Sequence, residues 1–262
     1  MTEKKIEDLF QEAHDEGELS AEGLRALTVN ADIGAQIQAG LGIAPDDVPS
    51  TEVVLVTMMP DDSGSIRFAG NADAVRAGHN QVVEALRCSK QQEDILVHTR
   101  YLNGTVLYPY RQLRDATPMT SKNYDPSEGT PLYDQTVVLL GTVLAKARQF
   151  EDAGVPVRTV TLIISDGADQ HSTRQTPAAV RAVVEDLQRK EVHVVAAMGI
   201  DDGTTDFRRV FREMGIPDGW ILTPGNTPGE IRRAFQTFSQ SAVRVSQTAG
   251  PLSQAGLGGF AN

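Results

Sequence analysis

The fold of this chain is decided by residues 53–65, which read VVLVTMMPDDSGS. The short apolar run Val53–Val56 predicts a buried strand. Pro60 donates no backbone hydrogen bond, so it is expected to mark the end of that strand. The chain then enters a loop that carries carboxyl and hydroxyl groups at Asp61, Ser63 and Ser65.

Two later fragments also place polar side chains in predicted loops. Ser165-Asp166-Gly167 follows a second apolar run, residues 160–164, and Gly129-Thr130-Pro131 precedes that run in the chain. In an open, mostly parallel sheet, loops from separate strands meet beyond the carboxyl ends of the strands. Convergence there would gather an all-oxygen set that suits a hard divalent cation, Mg²⁺ first, with Ca²⁺ or Mn²⁺ as alternatives. The predicted metal site comprises Asp61, Ser63, Ser65, Thr130 and Asp166.

In this order the fragments resemble the metal-ion-dependent adhesion site of von Willebrand factor type A domains, in their intracellular bacterial form. The resemblance rests on Asp61-x-Ser63-x-Ser65, Thr130 and Asp166, and it spans roughly residues 52–249. It implies an α/β fold with a Rossmann-like, doubly wound, mostly parallel sheet, one short antiparallel edge strand and helices on both faces. The alternation of predicted strands and helices independently favours a parallel sheet.

The resemblance also implies roles for the individual residues. In that family the two serines and the threonine contact the metal directly, whereas the two aspartates often act through water. A carboxylate of the ligand commonly fills the last coordination position. Taken singly, Ser63, Ser65 and Thr130 are typical helix caps and Asp166 is a typical turn residue, so the metal role is favoured only by their joint occurrence.

Three segments are predicted along the chain. Residues 1–50 form a helical N-terminal extension and linker, residues 51–249 the von Willebrand factor A-like domain, and residues 250–262 a flexible glycine-rich tail. Apolar helix faces in the extension favour packing on the main domain, and a docking element for a partner is the alternative. Within the domain, Pro109–Gly129 is expected to be a long functional loop that delivers Thr130 to the site.

Composition limits the location and the partners. The chain has 262 residues and a net charge of −11 at pH 7, which opposes nonspecific attraction to nucleic acid or anionic lipid. No stretch approaches the length of a membrane span, and the N-terminus lacks the apolar core of a signal peptide. Cys88 is the single cysteine, so an intrachain disulfide is excluded, and its helical neighbours predict a half-buried thiol. These features predict a cytoplasmic protein without nucleic-acid or membrane partners.

Three further polar residues lie near the predicted site. Asp62 and Asp169 are interpreted as charges on its rim rather than as direct metal ligands. His171 lies in the loop after Asp166, and a single loop histidine is expected to be solvated.

The favoured function is a non-catalytic, divalent-metal-dependent protein–protein interaction module whose partner supplies an Asp or Glu to the bound ion. Compact bacterial members of the family often work beside ATPases or stress-response proteins, which suggests such a complex as the setting. One alternative is a structural or assembly protein that forms a homo-oligomer through its extension and metal site. A metal-dependent hydrolase is less favoured, because the sequence contains no phosphate-binding loop, nucleophile elbow or zinc-protease motif.

Overall fold

The sheet of the computed structural model, which describes residues 5–29, 31–248, 252 and 258–260, has the strand order β3-β2-β1-β4-β5-β6. Only the β2–β3 pair is antiparallel among these strands; every other neighbouring pair is parallel. The strands are β1 (Val53–Met59), β2 (Ile95–Arg100), β3 (Val106–Gln112), β4 (Val157–Ser165), β5 (His193–Gly199) and β6 (Ile221–Leu222).

Helices cover both faces of this sheet. Every residue of β1, β4 and β5 is buried, and because successive side chains point to opposite faces, both faces must be covered. The helices are α1 (Ile6–Asp15), α2 (Ala21–Thr28), α3 (Ala31–Leu41), α4 (Gly64–Phe68), α5 (Ala72–Arg87), α6 (Leu132–Asp152), α7 (Pro177–Arg189), α8 (Phe207–Glu213) and α9 (Pro228–Ser246). The predicted doubly wound, mostly parallel α/β architecture with an antiparallel edge strand is confirmed.

Two local predictions are wrong. The loop expected from Pro109 begins only after Gln112, because β3 continues through the proline. The pairing of β3 with β2 shifts register there, and β3 is an edge strand, so the missing backbone donor of proline is tolerated. Cys88 is exposed rather than half-buried, because it lies just beyond the last turn of α5.

The N-terminal helices pack into the same core as the sheet. Phe10 on α1 is fully buried, and α2 and α3 lie against α7 and α6. The Arg148 guanidinium on α6 lies 2.5 Å from a carboxylate oxygen of Glu16 and 2.8 Å from one of Glu18. The Asp186 carboxylate accepts hydrogen bonds from the backbone N–H and the hydroxyl of Ser20, at 2.9 and 2.8 Å. Apolar and ionic contacts therefore join this segment to the rest of the chain.

Most of the predicted tail, residues 250–262, lies outside the described residues. Within the described part of it, Leu252 is buried, and the ring of Phe260 packs on Trp220 with the ring centroids 5.2 Å apart. Among the helices described, none combines the length and apolar character needed to cross a membrane.

Candidate metal centre

Asp61 joins the loops that follow β1 and β4. The two strands are parallel neighbours, paired as far as Met59 and Ile163, so both chains leave the sheet at the same edge. The fully buried Asp61 carboxylate accepts hydrogen bonds from the backbone N–H of Ser63 at 2.8 Å and from the Ser165 hydroxyl at 2.8 Å. It also accepts a longer bond, 3.3 Å, from the backbone N–H of Asp166. Asp61 therefore fixes the first and third predicted fragments relative to each other.

Three of the predicted metal-ligating oxygens lie in mutual contact. The Ser63 and Ser65 hydroxyl oxygens are 2.8 Å apart, and Ser65 donates to Oδ1 of Asp166 at 2.6 Å. Ser63 reaches the same carboxylate oxygen at 3.4 Å. Ser65 is exposed, whereas Ser63 and Asp166 are buried, so this oxygen cluster opens to solvent on one side.

The loop that carries Thr130 is fastened to the first fragment through its backbone. Ser63 pairs with Glu128 in an isolated parallel bridge, and the N–H of Gly64 donates to the Glu128 carbonyl at 3.1 Å. The carbonyl of Asp62 accepts the N–H groups of Ser127 and Glu128, at 2.9 and 3.1 Å. Thr130 follows two residues later and is buried, although within the described chain its hydroxyl is not hydrogen-bonded to the other four predicted residues.

His171 is not a merely solvated loop residue, as the sequence suggested, because its ring holds the backbone of Thr130. Nδ1 of His171 accepts the N–H of Thr130 at 2.8 Å, so the proton of the neutral ring lies on Nε2. The Thr130 carbonyl in turn accepts the N–H groups of Gln170 and His171, at 3.1 and 3.3 Å. A Cβ at Gly129 would lie 2.9 Å from the ring, so only glycine fits beside this histidine. The β4 loop therefore positions Thr130 by three hydrogen bonds.

Asp62 and Asp169, interpreted from the sequence as charges on the rim of the site, instead accept hydrogen bonds from backbone N–H groups. Asp62 is buried, and its carboxylate accepts the N–H of Asn103 at 3.0 Å. Asp169 accepts the N–H of Tyr133 at 3.3 Å, so it caps the first turn of α6. Both carboxylates therefore hold the surrounding loops in place.

Three carboxylates gather at this edge of the sheet without a Lys or Arg partner in the described part of the chain. Burial raises the pKa of Asp61, and burial together with the charge of Asp61 raises the pKa of Asp166 to about 6. Burial is also the main cause that raises the pKa of Asp62 to about 7. None of the three forms an ion pair with a residue in the described part of the chain. A bound cation would offset this clustered negative charge.

The geometry of the oxygen cluster fits a small hard cation. When an ion binds two oxygens at right angles to each other, with metal–oxygen bonds of about 2.1 Å, the two oxygens are about 3 Å apart. The separations of 2.8, 2.6 and 3.4 Å among Ser63, Ser65 and Asp166 bracket that value. The described residues contain no group of three or more His, Cys, Asp or Glu side chains that could hold a metal ion. A metal site at this edge of the sheet would therefore need the serine or threonine hydroxyls as ligands. Ser63, Ser65 and Asp166 are therefore spaced to surround such an ion, and Asp61 and Thr130 lie in the loops that adjoin them.

Comparison with known proteins gives matches of structure only. No protein-family model and no curated protein matches the sequence. The pilus adhesin SpaC from Lactobacillus rhamnosus GG in its open conformation has a TM-score of 0.52 and 13% identity, over 75% of this chain and 30% of the adhesin. A second SpaC structure has a TM-score of 0.53 and 12% identity, over 74% of this chain and 31% of the adhesin. The VWA domain of SpRpn10 has a TM-score of 0.48 and 6% identity, over 77% of this chain and 100% of that chain.

The adhesin is about three times as long as the part that matches, so the comparison concerns one domain of it. Its likeness at this identity concerns the fold. Together with the strand order β3-β2-β1-β4-β5-β6 and the single antiparallel edge pair, it shows that this chain has the von Willebrand factor A fold.

Proposed function

We propose that the chain is a non-catalytic protein–protein interaction module that binds its partner through a divalent cation. In this proposal Ser63, Ser65 and Thr130 contact the ion, Asp61 and Asp166 supply the compensating charge, and Mg²⁺ is favoured over Ca²⁺ or Mn²⁺. The metal supplies a positive site for a carboxylate of the partner. Two points remain predictions: that the chain is of the bacterial, intracellular type, and that it works in a stress-response or ATPase complex.

One observation carries the proposal: two serine hydroxyls from one loop meet the Asp166 carboxylate from another, at 2.6 and 3.4 Å. A shared fold does not fix function, so the site must support it. Hydroxyl ligands add no charge, and two ionised aspartates would balance a divalent ion. The exposed position of Ser65 leaves the cluster accessible to an external carboxylate.

The site supports binding better than hydrolysis. A serine nucleophile needs an adjacent base, commonly a histidine. Here the Ser65 hydroxyl donates to Asp166, and His171 accepts the backbone N–H of Thr130 rather than a serine hydroxyl. These contacts therefore favour a ligand role for the serines over that of a nucleophile paired with a histidine.

Affinity capture from a lysate of the native cells tests the function. The immobilised protein should retain specific proteins in Mg²⁺ and release them in EDTA, and an Asp166→Asn variant should retain none of that set. The proposal fails if the wild-type protein keeps the same proteins after EDTA and the variant captures them equally.

Metal affinity is expected to depend on pH. The cation binds the ionised carboxylates, and the pKa of Asp166 in the metal-free protein is about 6. Affinity should therefore fall as the pH drops through that value, by about tenfold between pH 7 and pH 5 for one proton displaced from Asp166. Titration calorimetry in two buffers of different ionisation enthalpy would measure the affinity and the proton release. Equal affinity at both pH values would show that Asp166 is not involved.

His171→Ala is expected to weaken Mg²⁺ binding by about tenfold, the cost of losing a residue that orients a ligand. His171→Asn should largely restore affinity, because the amide oxygen can accept the N–H of Thr130 in place of Nδ1. The effect should also disappear in a Thr130→Ala background, because His171 acts through Thr130. Calorimetric titration of the four variants measures this coupling, and additive losses would assign His171 a merely structural role.

A further inference from the structure

The surface beside the metal loop carries an apolar side chain that the fold leaves uncovered. Phe68 is 90% exposed, and the other markedly exposed large apolar side chain in the described residues is Val29, at 53%. Single exposed apolar residues are common on soluble proteins, so exposure alone implies nothing. The position of Phe68 relative to the candidate metal ligands makes it informative.

Phe68 is the last residue of α4, and Ser63 and Ser65 lie at the start of that helix. Helical side chains lean toward the N-terminus and cover the preceding turn. Accordingly, the Phe68 ring lies over Gly64, with its edge 3.5 Å from the place where a Cβ on Gly64 would be. Gly64 stands between the two serines, so the ring borders the opening of the oxygen cluster.

The short helix that presents Phe68 is fixed on two sides. Ile66 is fully buried in the core, and the Arg67 guanidinium pairs with the Asp125 carboxylate at 2.7 Å. Phe68 therefore projects from an anchored element rather than from a free loop.

Charges around the opening restrict which partner can cover it. Glu128 and Asp202 are exposed and flank the opening. Glu128 pairs with Ser63 in the parallel bridge, and Ile200, two residues before Asp202, donates its N–H to the Ser165 carbonyl at 2.9 Å. The ion offers a position for one carboxylate, and further negative charge on the partner would meet these two acids. A partner that fits therefore combines one acidic group with an apolar group and a basic group.

We infer that Phe68 and the open side of the metal loop form one docking surface for a segment of a partner protein that combines a single Asp or Glu with a neighbouring large apolar residue and a basic residue. The carboxylate serves the ion, the apolar side chain packs on Phe68, and the basic side chain faces Glu128 and Asp202. This inference rests on the proposed metal-dependent function and specifies the chemistry of its partner.

A peptide library tests it. Phage-displayed heptapeptides with a fixed central Glu and six random positions are selected in Mg²⁺ on the wild-type protein, on Phe68→Ser and on the matched control Val29→Ser, and are eluted with EDTA. We expect wild type and the control to select a large apolar residue and a Lys or Arg within two positions of the Glu. Phe68→Ser should lose the apolar preference and bind the selected peptide about tenfold more weakly, with its Mg²⁺ affinity unchanged.

Each other outcome counts against a defined claim. If Phe68→Ser selects the same apolar residues, or wild type selects none, the docking surface is wrong while metal-dependent binding of acidic peptides stands. If wild type yields no EDTA-eluted peptides, the proposed function and this inference both fail. If light scattering shows a Mg²⁺-dependent dimer that Phe68→Ser abolishes and Val29→Ser retains, a second copy of the chain covers Phe68, and the partner segment is excluded.

Discussion

Replacing Asp166 with asparagine is expected to abolish Mg²⁺ binding, with a loss of affinity of about a hundredfold or more. The amide oxygen can still accept the Ser65 hydroxyl, which now donates to Oδ1 of Asp166 at 2.6 Å, so the loop should keep its conformation. One of the two negative charges that would balance the ion is removed. Titration calorimetry of the variant with Mg²⁺ measures the loss.

The same variant should make the metal-free protein more stable at pH 7. Burial and the neighbouring Asp61 charge raise the pKa of Asp166 to about 6, above the ordinary value of 3.8. The folded state therefore disfavours the ionised form, and this penalty is present above pH 6 and is relieved as the pH falls toward 4. Removing the charge should raise the free energy of unfolding by about 1 kcal/mol or more, measured by denaturant titration in EDTA.

Asp202→Asn provides the matched control. It removes one negative charge from a nearby exposed residue, whose carboxylate bonds within its own turn to Thr204 and Thr205. Its Mg²⁺ affinity should change by only a few fold, since Asp202 is outside the oxygen cluster. Equal losses for the two variants would mean that general electrostatic attraction, rather than a defined site, accounts for binding.

Replacing Phe10 with alanine is expected to lower the free energy of unfolding of the whole chain by about 3–5 kcal/mol. Phe10 is fully buried in the core shared by α1 and the main domain, and the cavity left would be lined by residues of both. Unfolding should remain a single transition, shifted to lower denaturant concentration. Gln11→Ala, which removes an exposed side chain bonded to Asp15, should change stability by about 0.5 kcal/mol or less.

An early, separate transition of the N-terminal helices would contradict this expectation and would favour a detachable docking element. The contacts of the segment also bear on the homo-oligomer hypothesis, in which Glu12, Asp15, Glu16 or Glu18 would supply a carboxylate to the metal of a neighbouring chain. Glu16 and Glu18 pair with Arg148, and Asp15 accepts a hydrogen bond from Gln11. Three of the carboxylates that could reach the metal of a neighbouring chain are thus already engaged within their own chain.

The mostly parallel sheet and the clustering of Asp61, Ser63, Ser65 and Asp166 could be predicted because each depends on local patterns in the sequence. Both loops begin directly after a buried apolar strand, and parallel neighbours end at the same edge. The start of α7 was equally accessible, since Pro177 occupies its first turn and the Thr176 hydroxyl accepts the N–H of Ala179.

The roles of Asp62 and His171 could not be predicted, because each depends on a contact made only in the folded chain. Asp62 bonds to the backbone of Asn103, and His171 bonds to the backbone of Thr130, each 41 positions away. The extent of β3 was missed for a similar reason. Only the position of β3 at the edge of the sheet makes Pro109 acceptable within a strand.

Diffraction from crystals grown with Mn²⁺ tests the metal site most directly, because the anomalous signal locates the ion without reference to any assumed ligand. The expected result is one strong peak per chain within bonding distance of the Ser63 and Ser65 hydroxyls and next to Thr130 and Asp166. A protein that binds Mn²⁺ elsewhere, or a map without a peak between these residues at saturating Mn²⁺, would contradict the assignment.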